Sequence, residues 1–218
     1  MDFDINAFMY GLATWAIPVL FAITVHEVAH GWVANKLGDS TARMLGRLSL
    51  NPIKHVDPVG TIGVPAFLLL IGSPFLFGWA KPVPVNFRNL KHYRRDMVMV
   101  AAAGPGANLV MAIMWIILLA LFAHLIPDEN IARGFTDMSK NGVTINLVLL
   151  VFNLLPIPPL DGGRVLSGLL PPSLSGYLDR IEPYGMFIVI GLLYFGVLNQ
   201  IVAPAVNALA QLLVTVFL

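Results

Sequence analysis

Ala16-Ile-Pro-Val-Leu-Phe-Ala-Ile-Thr-Val25 runs without a break into His26-Glu27-Val28-Ala29-His30. The first part reads as the apolar interior of a membrane helix. The second sets two imidazoles and a carboxylate into it. On a helix of 3.6 residues per turn, positions four apart share a face, so His26 and His30 can bind one metal ion. Glu27 sits beside them as a base. Ionisable groups inside a membrane segment are costly and functional by default, which gives this short pattern its weight.

Composition agrees with that setting. The 218 residues are 57% hydrophobic and 11% charged, against about 25% charged in soluble domains. Mean hydropathy is +0.79. The chain therefore reads as one membrane-embedded domain over 1–218, with a catalytic core over about 5–170 and a C-terminal helical hairpin over about 183–218. A net charge of +1 gives no electrostatic case for nucleic acid. Cysteine is absent, which excludes disulfides, thiolate metal sites and a Cys nucleophile. Met1-Asp-Phe-Asp4 is acidic, so no ordinary signal peptide is expected.

The expected fold is an all-α polytopic membrane protein. It has about five transmembrane helices and a small re-entrant or β-like element between the first and second spans. Segment one covers Asn6 to Lys36, with Pro18 as a kink and Gly38 at its end. His26 then lies ~15 Å inside the Lys36 end. Ser49 to Gly60 is polar and turn-rich, and Thr61 to Phe77 is apolar but broken by Gly63, Pro65, Gly72 and Pro74. In Gly78-Trp-Ala-Lys-Pro-Val-Pro-Val-Asn86, Pro82 and Pro84 favour an extended edge. Such an edge can pair with an unwound substrate by strand addition.

Segment two covers Met97 to His124, and small residues near Gly104 allow close helix approach. Pro127 to Lys140 reads as a polar loop. Segment three starts at Val143 and is interrupted at Asn153-Leu-Leu-Pro-Ile-Pro-Pro-Leu-Asp-Gly-Gly163. The uncharged tail after Glu182 accommodates two spans split near Asn199 to Pro204. Nine of the thirteen Lys and Arg residues lie between segments one and two. That connection is expected on the cytoplasmic side of the plasma membrane, with the N-terminus outside. The Asp161 end of segment three then approaches the same side as His26.

A catalytic zinc usually takes three protein ligands, so one is missing from the first motif. Asp161 is the strongest candidate, because it sits in a broken helix at membrane depth between flexible neighbours. The expected centre is one Zn2+ per chain on His26, His30 and Asp161, with Glu27 outside the ligand set. Zinc acidifies water, Glu27 takes the proton, and the hydroxide attacks a peptide carbonyl. Asn153 and Asn108 are amide donors in apolar spans and are candidates for binding the substrate or its oxyanion. The rival reading is a non-enzymatic membrane protein, either a metal transporter or an inactive relative. Nearly uncharged later spans disfavour the first, and the retention of Glu27 and Asp161 disfavours the second.

Three stretches carry a resemblance: His26-Glu-Val-Ala-His30, Gly104-Pro-Gly-Ala-Asn108, and Asn153-Leu-Leu-Pro-Ile-Pro-Pro-Leu-Asp-Gly162. In this order, the chain resembles the site-2 protease family of intramembrane zinc metalloproteases. Gly46 to Thr61 and Gly78 to Asn86 are similar to its compact prokaryotic branch, without an inserted PDZ or a nucleotide-sensing domain. The resemblance implies zinc on His26, His30 and Asp161, catalysis by Glu27 and substrate contact near Asn153. It also implies that the partners are the bilayer and transmembrane-segment protein substrates, often trimmed first by an upstream site-1-type protease.

Overall fold

A computed structural model describes residues 4–73 and 78–218. Expectations for Met1 to Phe3 and for the Pro74 to Phe77 end of the apolar stretch lie outside the described residues. Among these there are eight α-helices: α1 (Ile5–Lys36), α2 (Thr41–Met44), α3 (Val64–Leu70), α4 (Tyr93–Leu125), α5 (Glu129–Asn153), α6 (Asp161–Leu169), α7 (Pro172–Tyr194) and α8 (Val197–Phe217). The described residues contain no strand. The α1, α4 and α8 helices are long and apolar enough to cross a membrane. The protein is an all-α membrane protein.

Local chemistry sets the helix ends. Asp4 caps α1 by accepting from Asn6 N and Ala7 N at 2.9 and 3.1 Å. The helix runs through Pro18 to Lys36, about 48 Å by its rise per residue. The α1, α4 and α5 helices pack on one another, with α6 against α4 and α8 against α5. Ala112, Trp115, Ile116, Val143, Leu147 and Leu150 form the seam between α4 and α5, closed by Val206 and Leu213 of α8. Phe8, Leu12, Ile17 and Phe21 stay exposed along α1, a surface suited to lipid.

Three sequence expectations are corrected. The polar stretch Pro127 to Lys140 is mostly the first half of α5 rather than a loop. Asp128 caps it by accepting from Asn130 N and Ile131 N. Asp137 ties it to α1 through Tyr10, whose hydroxyl donates at 2.8 Å. Polarity there marks an exposed helix, and the cap decides the backbone. The break in the tail falls at Gly196, which has a φ of 72° that favours glycine, and not near Asn199 to Pro204. Pro204 lies inside α8.

The element between the first spans is helical over Pro58–Gly63 and Val64–Leu70, and not β-like. Asp57 accepts from Val59 N and Gly60 N and starts that helix. At about 20 Å it is too short to cross the bilayer. Residues 78–86 form neither helix nor strand, and part of their main chain is turned inward. The N–H groups of Trp79, Lys81, Val83 and Asn86 donate to Gly60 O, His55 O, Glu27 Oε2 and Asp39 Oδ2. Pro82 and Pro84 have no N–H to offer. These four N–H groups are thus used inside the protein, while Gly78, Trp79 and Ala80 line the cleft described below.

Asp39 anchors the far end of this segment. It is fully buried. Burial alone pushes its carboxyl up, but hydrogen bonds from Thr41, Asn89 and Asn86 outweigh that and hold it below the ordinary carboxylate range.

Candidate metal centre

The α1 helix presents His26 and His30 on one face, and their Nε2 atoms lie 3.0 Å apart. Asp161, the first residue of α6, brings Oδ2 to 3.2 Å from His26 Nε2 and 3.3 Å from His30 Nε2. Three potential ligand atoms thus lie within 4.8 Å of one another. The chain reaches this geometry because α5 stops at Asn153 and the proline-rich turn leads straight into α6. Gly162 makes the turn possible, since a Cβ there would collide with the carbonyls of Leu154 and Leu155. Gly104 does the same for α4 against α1, because its Cβ would fall on both imidazoles.

The outer contacts define the protonation pattern. His30 Nδ1 lies 2.7 Å from Val100 O, which can only accept, so Nδ1 carries the proton. His26 Nδ1 lies 2.6 Å from Asn108 Oδ1. The orientation of that carboxamide follows from its other end: Asn108 Nδ2 donates to Ala22 O at 3.3 Å and to Asn146 Oδ1 at 2.9 Å. Asn146 Nδ2 in turn donates to Gly142 O at 2.8 Å. His26 Nδ1 is therefore a donor as well. Both Nε2 atoms then offer lone pairs to the same point in space. Asp161 Oδ2 joins them, buried and without a hydrogen-bond partner. With both rings neutral, three electron-rich atoms converge there, an arrangement that a bound cation stabilises. The residues fit a zinc ion.

Glu27 is next to this cluster but not in it. Its Oε2 accepts from Val83 N at 2.8 Å. His26 and Glu27 line a cleft of about 1080 Å³ between α1, α5, α7, α8 and residues 60–65 and 78–80. Asn153 lines the same cleft, and its Nδ2 donates back to Leu149 O at 3.0 Å. Asn108 does not reach the cleft. It is fully buried behind His26, and both ends of its carboxamide are engaged. The expectation that it binds substrate is corrected on that ground.

Sequence reasoning passed over Asn146, whose polar side chain in an apolar span was the available signal. It also passed over Asn199 and Asn207 of α8, which line the cleft. Val100 O and Val83 N are main-chain groups with no signature in residue type.

A helical membrane bundle with two His on one helix, an Asp from another and a nearby carboxylate holds the groups that a membrane-embedded metallopeptidase needs. Comparisons with known proteins agree. The family model "Peptidase family M50" matches residues 122–195. The Bacillus subtilis protein named "Putative zinc metalloprotease YwhC" is 41% identical over 88% of this chain and 85% of its own length. Rip2 of Mycolicibacterium smegmatis, described in the same terms, is 31% identical over 90% of this chain and 71% of its own. "Regulator of sigma-E protease RseP" of Escherichia coli is 30% identical over 51% of this chain and 26% of its own length. No solved structure matches. The chain belongs to peptidase family M50, the site-2 protease family, and is an intramembrane zinc metalloprotease.

Proposed function

We propose that His26, His30 and Asp161 hold the zinc ion and that Glu27 is the general base and acid. The observation that carries this is the convergence of three lone-pair atoms with Asp161 Oδ2 otherwise unpartnered. Bound there, the ion supplies Lewis acidity and lowers the pKa of water in its open position toward ~7. Glu27 accepts the proton of the attacking water and returns it to the leaving amine nitrogen. Asn153, on the wall of the same cleft, hydrogen-bonds the substrate main chain. Asn108 serves the metal and not the substrate, by fixing the His26 ring.

The cleft is mostly apolar, with Trp15, Ile23 and Leu193 in its lining, which suits a transmembrane segment of another protein. Cleavage requires that segment to unwind locally, because helical peptide bonds are shielded. Prior trimming by a separate protease would supply a shorter, looser substrate. The basic connection between α1 and α4 supports an orientation with the site toward the cytoplasmic face of the plasma membrane and the N-terminus outside.

The deciding experiment incubates the purified protein in detergent or liposomes with a single-span substrate, with and without a zinc chelator. Cleavage should vanish with chelator and return on adding zinc. Chelator-insensitive cleavage would sink the assignment. Asn108→Ala should weaken zinc binding by ~10–100-fold while the chain stays folded, because the His26 ring loses its partner. Competition against a chromophoric chelator measures this, and an unchanged affinity would remove Asn108 from the metal's support.

A further inference from the structure

Glu27 projects from a helix on a side chain with three rotatable bonds, yet its carboxylate has a fixed partner. That partner is the main-chain N–H of Val83, at 2.8 Å. Val83 lies between Pro82 and Pro84, whose rings fix φ and which donate nothing. The short run Pro82-Val83-Pro84 therefore offers one N–H in one direction. Val83 is 6% exposed. Its side chain sits over Gly31, one helical turn beyond Glu27, where a Cβ would come within 2.6 Å of Val83 Cγ1 and of Leu48 Cδ2. On its other side the run is held by Arg47, whose Nη2 donates to Lys81 O at 3.0 Å and to Pro82 O at 3.2 Å.

We infer that Arg47 is a positioning residue for the reaction: it clamps the Pro82-Val83-Pro84 run, whose single N–H aims the Glu27 carboxylate. The inference rests on Glu27 being the base. With Oε2 tied to Val83, Oε1 is left to take the proton. A charge-assisted hydrogen bond from rigid backbone is a stronger tether than a contact between mobile side chains. Arg47 belongs to the basic connection read as an orientation signal, but the hydrogen bonds it makes among the described residues go to two carbonyls. Its guanidinium thus reaches the catalytic carboxylate through the backbone of a second loop.

The test measures zinc content, KM and kcat on a single-span substrate in three forms of the full chain. They are Arg47→Ala, a variant in which the Val83 amide is replaced by an ester that keeps its side chain, and the combination of the two. Loss of aim should lower kcat by ~10–100-fold in each single form, with zinc content and KM unchanged. The combined form should be no worse than the poorer single one, because both break one path. Guanidinium ion at millimolar concentration should restore part of the rate to Arg47→Ala and none to the ester. Wild-type kcat in the ester variant, additive losses, or a fall in zinc content would overturn the inference. Should Arg47→Ala fail to fold, Arg47→Gln, polar but too short to reach both carbonyls, takes its place in the same comparison, and an unchanged kcat in it overturns the role of Arg47. Glu27→Gln separates the two levels: an inactive Glu27→Gln beside a fully active ester variant removes only the clamp, whereas an active Glu27→Gln removes the base itself.

Discussion

Glu27→Gln should bind one zinc ion as tightly as the wild type and cleave ~10²–10⁴-fold more slowly. The carboxamide has the size and shape of the carboxylate, and its oxygen can still accept from Val83 N, so the contact seen at 2.8 Å survives. His26, His30 and Asp161 are untouched, and so are the outer partners Asn108 and Val100. What disappears is the capacity to take a proton from water and return it to the leaving nitrogen. Metal analysis of the purified variant and single-span substrate cleavage read the two halves separately. Normal cleavage would mean that another group moves the proton, and loss of zinc would mean that Glu27 supports the metal.

Gly104→Ala should abolish zinc binding and activity together. The added Cβ falls on the imidazoles of both His26 and His30, and neither ring is free to retreat. Each is held from behind, one by Asn108 and the other by the main chain of α4 itself. Metal sites tolerate displacements of about 0.2 Å in ligand position. A fall in zinc affinity of at least ~10²-fold is expected. Gly106→Ala is the internal control, since nothing lies within 4 Å of its Cβ. It removes a helix glycine at no steric cost and should leave activity intact while stabilising the fold by up to about 1 kcal/mol. Comparable losses in both variants would show that the effect is on helix α4 in general and not on the approach to the two rings.

How far the sequence revealed this arrangement depends on the kind of group involved. His26, Glu27 and His30 were legible because a helix turns spacing into shared direction. Asp161 was legible because an acid in a proline- and glycine-broken span has few other reasons to be there. Asn108 was found for the right reason, a polar group in an apolar span, but that reason names no partner. Only the packing of α1 on α4 shows that it backs His26. The stretch from Pro127 to Lys140 was misread because polarity reports contact with water, whereas a cap such as Asp128 reports backbone conformation. The Val83 N–H carries no side-chain signature, and Arg47 was hidden among charges that read as a topology signal. Sequence patterns expose side chains that act directly and conceal main-chain groups that act through them.

The order in which the parts of the centre occur along the chain has a consequence for biosynthesis. The α1 helix brings two ligands, but the third waits for Asp161, and the Asn108 that orients His26 is itself held by Asn146 on α5. A nascent chain with only its first two long helices in the bilayer has paired imidazoles and an incomplete grip on any metal. The third ligand and the last outer contact are delivered by the same stretch, α5 and the turn that ends it. With the proposed ligand set, the centre is complete only once α5 and the turn that ends it have been made.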